Sequence, residues 1–319
     1  MPVSDSNRRL RKALSRKLER MIDRGVAARS EAITAALRAL AADLAATTEH
    51  IGELGEAIDV LGEKARDLRA ITAAMLDDVP HLRAELAAAR LSEAYERALT
   101  DAEPLVSIRI PTYVRARLLV ERALPSIVRQ TYQHFEVIVV GDGCSNDTAQ
   151  RIEAFGDPRV RFVNLPYRHP YPEDANDRWQ IAGAAAVNAA TTLAKGSWLA
   201  LLGDDDEMDP HHLEWLLDAA RSSRSEMAYG DILERNPNPA DDRVLGGFPP
   251  RHGFFNFQAA MVMSALRAFE FSTTSWVLDE PSDWNLCRRM LEAGVRMKYV
   301  NRVVEIHYPS RLYTADQAG

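Results

Sequence analysis

The stretch Trp198-Leu-Ala-Leu-Leu-Gly-Asp-Asp-Asp206 joins an apolar, β-prone segment to three consecutive carboxylates, and Glu207 and Asp209 follow directly. Like charges this close together repel one another, and their desolvation is costly unless a cation neutralises them. The stretch therefore predicts a strand that delivers oxygen ligands to a divalent metal such as Mg²⁺ or Mn²⁺. The alternative is a solvated acidic turn that caps a helix beginning near Pro210.

The bulk composition argues against several classes of protein. The chain has 319 residues, of which 46% are hydrophobic and 27% are charged, as is usual for a globular protein. Its formal net charge of −7 argues against a general nucleic-acid binder. Cys144 and Cys287 lack paired spacing, so neither a disulfide framework nor a zinc site is predicted. No segment is apolar over the roughly 18 residues that a membrane span needs, and we expect a cytoplasmic protein.

Residues 1–100 are rich in Ala, Leu, Arg and Glu, and we expect them to form a helical oligomerisation region. Within about residues 33–75, apolar residues recur at alternating steps of four and three, which is the heptad pattern of a coiled coil. The seam comprises Ile33, Leu37, Leu40, Leu44, Thr47, Ile51, Leu54, Ile58, Leu61, Ala65 and Leu68. A repeat held this strictly favours a homo-oligomer over docking on the chain's own globular domain.

The first turns of this helical region are strongly basic. Their basic residues are Arg8, Arg9, Arg11, Lys12, Arg16, Lys17, Arg20 and Arg24, interleaved with leucine and isoleucine. A basic amphipathic helix can rest on anionic lipid headgroups, which predicts peripheral contact with the inner face of a membrane. A solvated helix that extends the oligomer is the alternative.

Residues 104–312 alternate between short apolar segments and amphipathic ones, which indicates an α/β domain with a doubly wound, mostly parallel sheet. The predicted strands ahead of the acidic one comprise residues 106–110, 135–140 and 160–163. Ligands of such sheets gather beyond the carboxyl ends of the strands. Thr112, Asp142 and the three aspartates all stand at such ends, so they converge on one predicted crevice.

Two common nucleotide-binding motifs are absent from the sequence. There is no G-x-G-x-x-G after the first strand and no G-x-x-x-x-G-K-[ST], so a dinucleotide oxidoreductase and a P-loop NTPase are unsupported. Asp142 suits a different mode, in which a carboxylate accepts hydrogen bonds from a nucleobase or ribose. The alternative for Gly141-Asp142-Gly143 is a tight turn.

Four groups of residues in the second half form a recognisable order. They are Val106-Ser-Ile-Arg-Ile-Pro-Thr-Tyr113, Gln130-Thr-Tyr132, Phe135-Glu-Val-Ile-Val-Val-Gly-Asp-Gly143 with Asn146-Asp-Thr148, and Lys195-Gly-Ser-Trp-Leu-Ala-Leu-Leu-Gly-Asp-Asp-Asp206. Over about residues 104–310, this order closely resembles the family 2 glycosyltransferases of GT-A fold. The resemblance implies transfer of a sugar from a nucleoside diphosphate sugar, with a UDP-sugar favoured, inversion at the anomeric carbon, and Mn²⁺ or Mg²⁺ as the cofactor.

The resemblance also implies which residues bind the nucleotide. Pro111, Thr112, Tyr113 and Asp142 would contact the base and the ribose. Arg178 lies in a proline-containing loop from which a cation could meet the base or the diphosphate. The family often has two acidic residues where Gly141-Asp142 stands, so only Asp142 carries over.

On the sugar side, the resemblance gives each aspartate of the acidic run a role. Asp204 and Asp205 would face the ribose and the sugar, and Asp206 would ligate the metal that bridges the diphosphate. His307 ends a late predicted strand and would be a further metal ligand or a phosphate contact. A structural histidine on a strand is the alternative.

Inversion by direct displacement needs a base on the face opposite the leaving diphosphate. The resemblance places this base just ahead of a Trp on a late helix, which indicates Asp283, followed by Trp284 and a predicted helix over 285–292. Glu280 is the second candidate. The alternative is that Asp283 or Ser282 caps the helix.

The leading interpretation is thus a metal-dependent inverting glycosyltransferase that its N-terminal coiled coil holds in an oligomer. A glycan, a lipid-linked intermediate and a peptide are all possible acceptors. Two rival functions stay open: a nucleotidyltransferase, and a scaffold that binds a sugar nucleotide without catalysis.

Overall fold

The computed structural model describes residues 5–75 and 78–309, and the chain divides into two units, residues 1–71 and 72–319. Helix α1 (Asp5–Met75) is continuous, as the composition predicts. Its apolar seam is exposed along the described side chains. The exposed seam residues are Leu37, Leu40, Leu44, Ile51, Leu54, Ile58, Leu61 and Leu68, each at 52% or more.

The basic first turns belong to α1, but most of their side chains lie outside the described residues. Membrane contact by this segment therefore stays a prediction. Across residues 5–75 and 78–309, no helix combines the length and the apolar character that crossing a bilayer requires.

The second unit combines short helices with one large sheet. Its helices are α2 (Val79–Arg90), α3 (Glu93–Thr100), α4 (Ala116–Leu118), α5 (Leu124–Val128), α6 (Thr148–Phe155), α7 (Ala175–Gln180), α8 (Ala184–Leu193), α9 (His212–Ser222) and α10 (Ser282–Ala293). Its strands are β1 (Val106–Thr112), β2 (Phe135–Gly141), β3 (Val160–Asn164), β4 (Trp198–Leu201), β5 (Glu207–Met208), β6 (Met227–Glu234), β7 (Arg243–Leu245), β8 (Ala260–Met263) and β9 (Met297–His307). A π-helical turn at Leu119–Ala123 joins α4 to α5.

The nine strands form one sheet in the order β3-β2-β1-β4-β8-β6-β9-β5, and β7 pairs with β6. Strands β1 to β4 are parallel, but β8 runs antiparallel to both β4 and β6. The prediction of a mostly parallel sheet is therefore wrong for its second half. Parallel neighbours need a crossover, usually a helix. Helices lie between successive strands of the first half, whereas the chain reaches β8 from β6 through β7 and short turns.

The first half of the sheet is buried on both faces. Along β2, Val137 and Val139 pack in one apolar cluster, and Ile138 and Val140 pack in another on the opposite face. Alternating side chains of a strand point to opposite faces, so helices must cover both sides of the sheet. The rigid layer fixes the register of Thr112 opposite Gly141, which sets two strand ends side by side.

Helices α2 and α3, within the helical region predicted over residues 1–100, pack into this second unit. Leu82 and Leu86 of α2 are buried in the apolar core. The indole nitrogen of Trp198 donates to the carbonyl of Ala98 at 3.0 Å. These two helices are therefore part of the same compact unit as the sheet, because they bury apolar side chains in its core.

A buried carboxylate joins α2 and α3 to the sheet. The Glu226 side chain is fully buried, and it accepts hydrogen bonds from Arg90, Arg296 and the Tyr95 hydroxyl. Burial alone would raise the pKa of Glu226, but the hydrogen bonds from Arg90, Arg296 and Tyr95 together outweigh it and lower the pKa to about 2. The ionised form therefore stabilises the fold.

We expect Glu226→Gln to destabilise the protein by about 1.5–3 kcal/mol at neutral pH, because Arg90, Arg296 and the Tyr95 hydroxyl lose a charged hydrogen-bond acceptor. A carboxyl whose folded pKa lies below its unfolded value of about 4.3 stabilises above that value and loses this contribution as pH falls towards 2. Urea unfolding between pH 7 and pH 3 should show the difference from wild type shrinking. A difference that stays constant across this range would contradict the assignment. Glu153→Gln, at an exposed site on α6, is the control.

Candidate active site

The polar residues singled out above meet at one edge of the sheet. Thr112 ends β1, Asp142 follows β2, and the acidic run follows β4. Strand β5 comes directly after Asp206 and pairs antiparallel with β9, with Glu207 opposite Ile306. This pairing brings His307, 101 residues later in sequence, beside Asp206.

Asp204 connects the ends of β1 and β4. The hydroxyl of Thr112 donates to Asp204 Oδ2 at 2.7 Å, and Arg115 Nη1 lies 3.7 Å from Asp204 Oδ1. Burial and the charge of Asp205 raise the pKa of Asp204, and Arg115 and Thr112 oppose this rise. The carboxyl therefore occupies a position that is costly for an isolated anion.

Asp205 is held from two sides by arginines. Arg115 pairs with its carboxylate, and Arg122 Nη1 donates to its backbone carbonyl at 2.7 Å. Burial and the charge of Asp206 raise the pKa of Asp205. Arg122 also stacks over the ring of Tyr308, with its guanidinium carbon 3.9 Å from the ring centroid. Sequence reasoning missed both arginines, although their place just after β1 was a usable signal.

Asp206 is the most buried of the three aspartates, at 1% exposed. The backbone N–H of Tyr308 donates to Oδ1 at 2.8 Å, and the amide of Gln258 donates to Oδ2 at 2.8 Å. The Nδ1 atom of His307 lies 3.1 Å from Oδ2. Burial lowers the pKa of His307, but Asp206 outweighs burial and raises it to about 9.

The turn before the aspartates accepts only glycine without rearrangement. A Cβ atom at Gly203 would lie 2.9 Å from Gln258 Oε1 and 3.0 Å from Asp206 Oδ2. The N–H of Gly203 donates to the same Gln258 oxygen. Gln258 thus holds Gly203 and Asp206 together, and its role was invisible in the sequence because it lies more than 50 residues away.

The charge of the site fits a divalent cation. Asp204, Asp205 and Asp206 are joined by Glu305 of β9, which is fully buried and whose Oε2 atom has no hydrogen-bond partner. One ligand atom each from Asp206, Glu305 and His307 can be chosen so that all lie within 4.8 Å of one another. Carboxylate oxygens with an imidazole nitrogen suit ions such as Mn²⁺, and carboxylates suit Mg²⁺.

Asp142 organises the part of the site that lies at the end of β2. Its carboxylate accepts from the backbone N–H of His169 at 2.9 Å and from the hydroxyl of Tyr171 at 2.6 Å. These bonds attach the loop after β3 to the end of β2. In the same region, the guanidinium of Arg168 lies 4.0 Å from the ring centroid of Tyr113. Pro111 is half-buried at the end of β1, opposite Val140.

Gly141 has no space for a side chain. A Cβ atom there would lie 2.5 Å from Asn164 Oδ1 and 2.9 Å from the Phe162 ring. Asn164 is fixed in place, because its amide exchanges hydrogen bonds of 2.8 and 2.9 Å with the backbone of Cys144. A second acidic side chain therefore has no room beside Asp142.

Arg178 lies on α7 and bonds within its own loop. Its Nη1 atom donates to the carbonyls of Pro172 and Glu173 at 3.2 and 3.1 Å. These contacts give it a part in shaping the loop.

Asp283 lies in the first turn of α10 and is partly exposed. Pro281 occupies the cap position, and no side chain caps the helix there. The N–H of Trp284 donates to Asp283 Oδ1 at 2.7 Å. Burial raises the pKa of Asp283, and the nearby charges of His252 and His307 partly offset it.

Glu280, the second candidate base, is fully engaged. Its carboxylate accepts two hydrogen bonds of 2.9 Å from Arg288 and one of 2.7 Å from Asn285. Burial alone would raise the pKa of Glu280, but these bonds outweigh it and lower the pKa. A lowered pKa and full engagement make Glu280 the poorer proton acceptor of the two.

The second unit of the chain is similar to known glycosyltransferases. Residues 107–283 match the family described as Glycosyl transferase family 2. One relative is the "Putative colanic acid biosynthesis glycosyl transferase WcaA" of Escherichia coli (strain K12), 36% identical over 118 residues, or 36% of this chain and 37% of the relative. Another is a chondroitin synthase of Escherichia coli, 26% identical over 225 residues, or 67% of this chain and 30% of the relative. The match thus spans about a third of the length of either relative.

Among solved structures, the fold is similar to that of S. aureus TarS residues 1–349 in complex with UDP. The TM-score is 0.50 at 16% sequence identity, and the match covers 64% of this chain and 60% of that one. The similarity establishes a shared mixed α/β fold of GT-A type.

Proposed function

The chain belongs to glycosyl transferase family 2, and we propose that it transfers a sugar from a nucleoside diphosphate sugar to an acceptor hydroxyl, with inversion at the anomeric carbon. Family membership supports nucleotide-sugar transfer as the general reaction. The proposed metal-assisted mechanism rests on one observation. Asp206 contacts His307 within a buried group of carboxylates at the ends of parallel strands. Such an edge is where α/β sheets bind their ligands.

We propose that the donor lies along the edge from β2 to β4. Pro111, Thr112, Tyr113 and Asp142 would contact the base and ribose, and Arg178 would approach from the loop after β3. The TarS structure contains UDP, which supports a UDP-sugar as the donor.

The sugar end of the donor would face Asp204 and Asp205. The bond from Thr112 to Asp204 joins the nucleotide side of the site to this end, so one rigid contact sets their separation. Arg115 pairs with Asp205 and limits the repulsion among the carboxylates.

Asp206 and His307 would hold Mn²⁺ or Mg²⁺. When bound, the cation would neutralise the charge that develops on the leaving diphosphate. The chain's own part is to fix these two side chains: Tyr308 N–H and Gln258 orient Asp206, and β5–β9 pairing orients His307.

Asp283 is the proposed general base that removes the proton of the acceptor hydroxyl. Its raised pKa brings it nearer to the operating pH, where a base is most effective. The charge of His307 is near enough to Asp283 to lower its pKa, which supports a position of Asp283 near the metal-binding end of the site.

A glycan is the proposed acceptor, with a lipid-linked intermediate or a peptide as alternatives. Two relatives are named for colanic acid biosynthesis and for chondroitin synthesis, which supports a saccharide.

The proposed homo-oligomer forms through α1. Eight of its seam residues, between Leu37 and Leu68, are more than half exposed in the single chain and follow heptad spacing, so a second copy of the same helix would bury them. The residues that follow Ile33, Leu40, Thr47, Leu54 and Leu61 are small, namely Thr34, Ala41, Thr48, Gly55 and Gly62, and this permits close approach of the partner helix along that part of the seam.

The transfer reaction is tested with labelled nucleotide sugars and Mn²⁺. We expect release of nucleoside diphosphate from one donor class, loss of release with EDTA, and recovery on adding Mn²⁺. Asp206→Asn should lower the rate by about 10²-fold or more, because it removes a charged ligand. Binding of the donor with no turnover in the intact chain would favour the scaffold, and cleavage of a nucleoside triphosphate would favour a nucleotidyltransferase.

The base is tested by Asp283→Asn. We expect kcat to fall by about 10²–10⁴-fold, because general-base assistance is lost. The affinity for the donor, measured by calorimetry, should stay within about threefold of wild type. Glu280→Gln is the matched control and should keep most of the turnover. Near-normal turnover in Asp283→Asn, or equal losses in both variants, would contradict the assignment.

The oligomer is tested by Ile58→Asp. We expect self-association to weaken at least about tenfold in sedimentation equilibrium, because a carboxylate would be buried in the seam. Val60→Asp is the matched control, since Val60 is 50% exposed on the same helix but outside the seam. A monomeric wild type, or equal effects of both variants, would exclude the proposed coiled coil.

A further inference from the structure

Glu305 is the one buried carboxylate of the site whose role the proposed reaction leaves open. It lies on β9, two residues before His307, so both side chains leave the strand on the same face. Strand β9 pairs with β5 on one side and with β6 on the other, which fixes the backbone under both side chains. Glu305 is thus presented as rigidly as His307.

The carboxylate of Glu305 lacks the partners that its burial requires. It is fully buried, and its Oε1 atom accepts one long hydrogen bond of 3.3 Å from Asn256. Its Oε2 atom is buried without a hydrogen-bond partner. A buried carboxylate is costly unless it is paired or coordinates a metal.

The distances suit a shared cation. The Asp206 and His307 atoms that face each other are 3.1 Å apart, and a Glu305 oxygen completes a group within 4.8 Å. Around an octahedral ion with bonds of about 2.1 Å, adjacent ligands stand about 3 Å apart and opposite ligands about 4.2 Å apart. The three side chains can therefore reach one ion with small side-chain adjustments.

We propose that Glu305 is a third protein ligand of the divalent cation and that, with Asp206 and His307, it lets the chain hold the cation in the absence of nucleotide. The inference rests on the proposed function for the identity of the cation as Mn²⁺ or Mg²⁺. Two anionic ligands and one imidazole supply the charge and the ligand number that a nucleotide diphosphate would otherwise have to provide.

The alternative is a neutral, purely structural Glu305. A glutamine is nearly isosteric with a protonated glutamate, so Glu305→Gln would then leave metal affinity unchanged. If Glu305 is a ligand, the same substitution removes a negative charge from the ion's immediate surroundings and weakens binding. The two roles therefore predict different results from one variant.

The test is calorimetric titration of MnCl₂ into the EDTA-treated full chain without nucleotide. We expect one Mn²⁺ per chain for wild type and a 10- to 100-fold weaker affinity for Glu305→Gln. Glu207→Gln is the matched control: it removes a carboxylate adjacent to Asp206 that instead accepts from the Tyr308 hydroxyl. It should change the affinity by less than about threefold. Equal affinities of wild type and Glu305→Gln, or no binding by wild type without nucleotide, would overturn the proposal.

A second measurement keeps the proposal testable if Glu305→Gln does not fold. Crystals of the wild-type chain soaked in MnCl₂ without nucleotide should give an anomalous peak within bonding distance, about 2.0–2.6 Å, of a Glu305 oxygen. A peak bonded to Asp206 and His307 alone would overturn it. Both measurements read metal binding rather than transfer, so a failed transfer assay and a failed metal titration are distinguishable results.

Discussion

The pairing of β5 with β9 is the contact on which the site depends. Two residues of β5 follow the acidic run, and their pairing with Glu305 and Ile306 closes a sequence separation of about a hundred residues. Without it, Asp206 would lack both His307 and the N–H of Tyr308. The pairing of β5 with β9 also adds buried negative charge to the site, because β9 carries Glu305 as well as His307. A strand only two residues long is sufficient here since β9 is held along its other edge by β6.

The sequence predicted well those parts of the site that depend on local pattern. Thr112, Asp142 and the aspartates lie at strand ends because apolar runs stop there, and the ends of parallel strands share one edge. It failed where position depends on pairing between distant segments. Gln258 reaches the site from the turn just before β8, and Glu305 reaches it from β9. No hydrophobic periodicity near either residue indicates these contacts. The antiparallel strands of the second half of the sheet were not predicted for the same reason. Strand direction depends on how the strands are connected and not on their hydropathy.

Gly141 stands where the family often has a second acidic residue, and the structure gives a physical reason for this departure. Asn164 fills the space beside Gly141 and ties the end of β3 to the turn after β2. Asp142 is then left alone, and its two carboxylate oxygens anchor the following loop through His169 and Tyr171. A single acidic residue at this point thus serves the architecture of the loop, and each oxygen still has a lone pair with which a nucleotide donor could bond.

The loop after β3 leads from Asp142 towards the helix that carries the proposed base. It continues into α7, where the amide of Gln180 donates to the carboxylate of Asp279 at 2.9 Å. Asp279 has a left-handed backbone, with φ of 58°, which a residue other than glycine adopts at a cost and only where its surroundings hold it. The turn it makes leads into Pro281 and then α10, which carries Asp283. Hydrogen bonds and short chain segments therefore run without a break from Asp142 to Asp283. The hydrogen bond between Gln180 and Asp279 therefore joins the loop held by Asp142 to the turn that leads into α10.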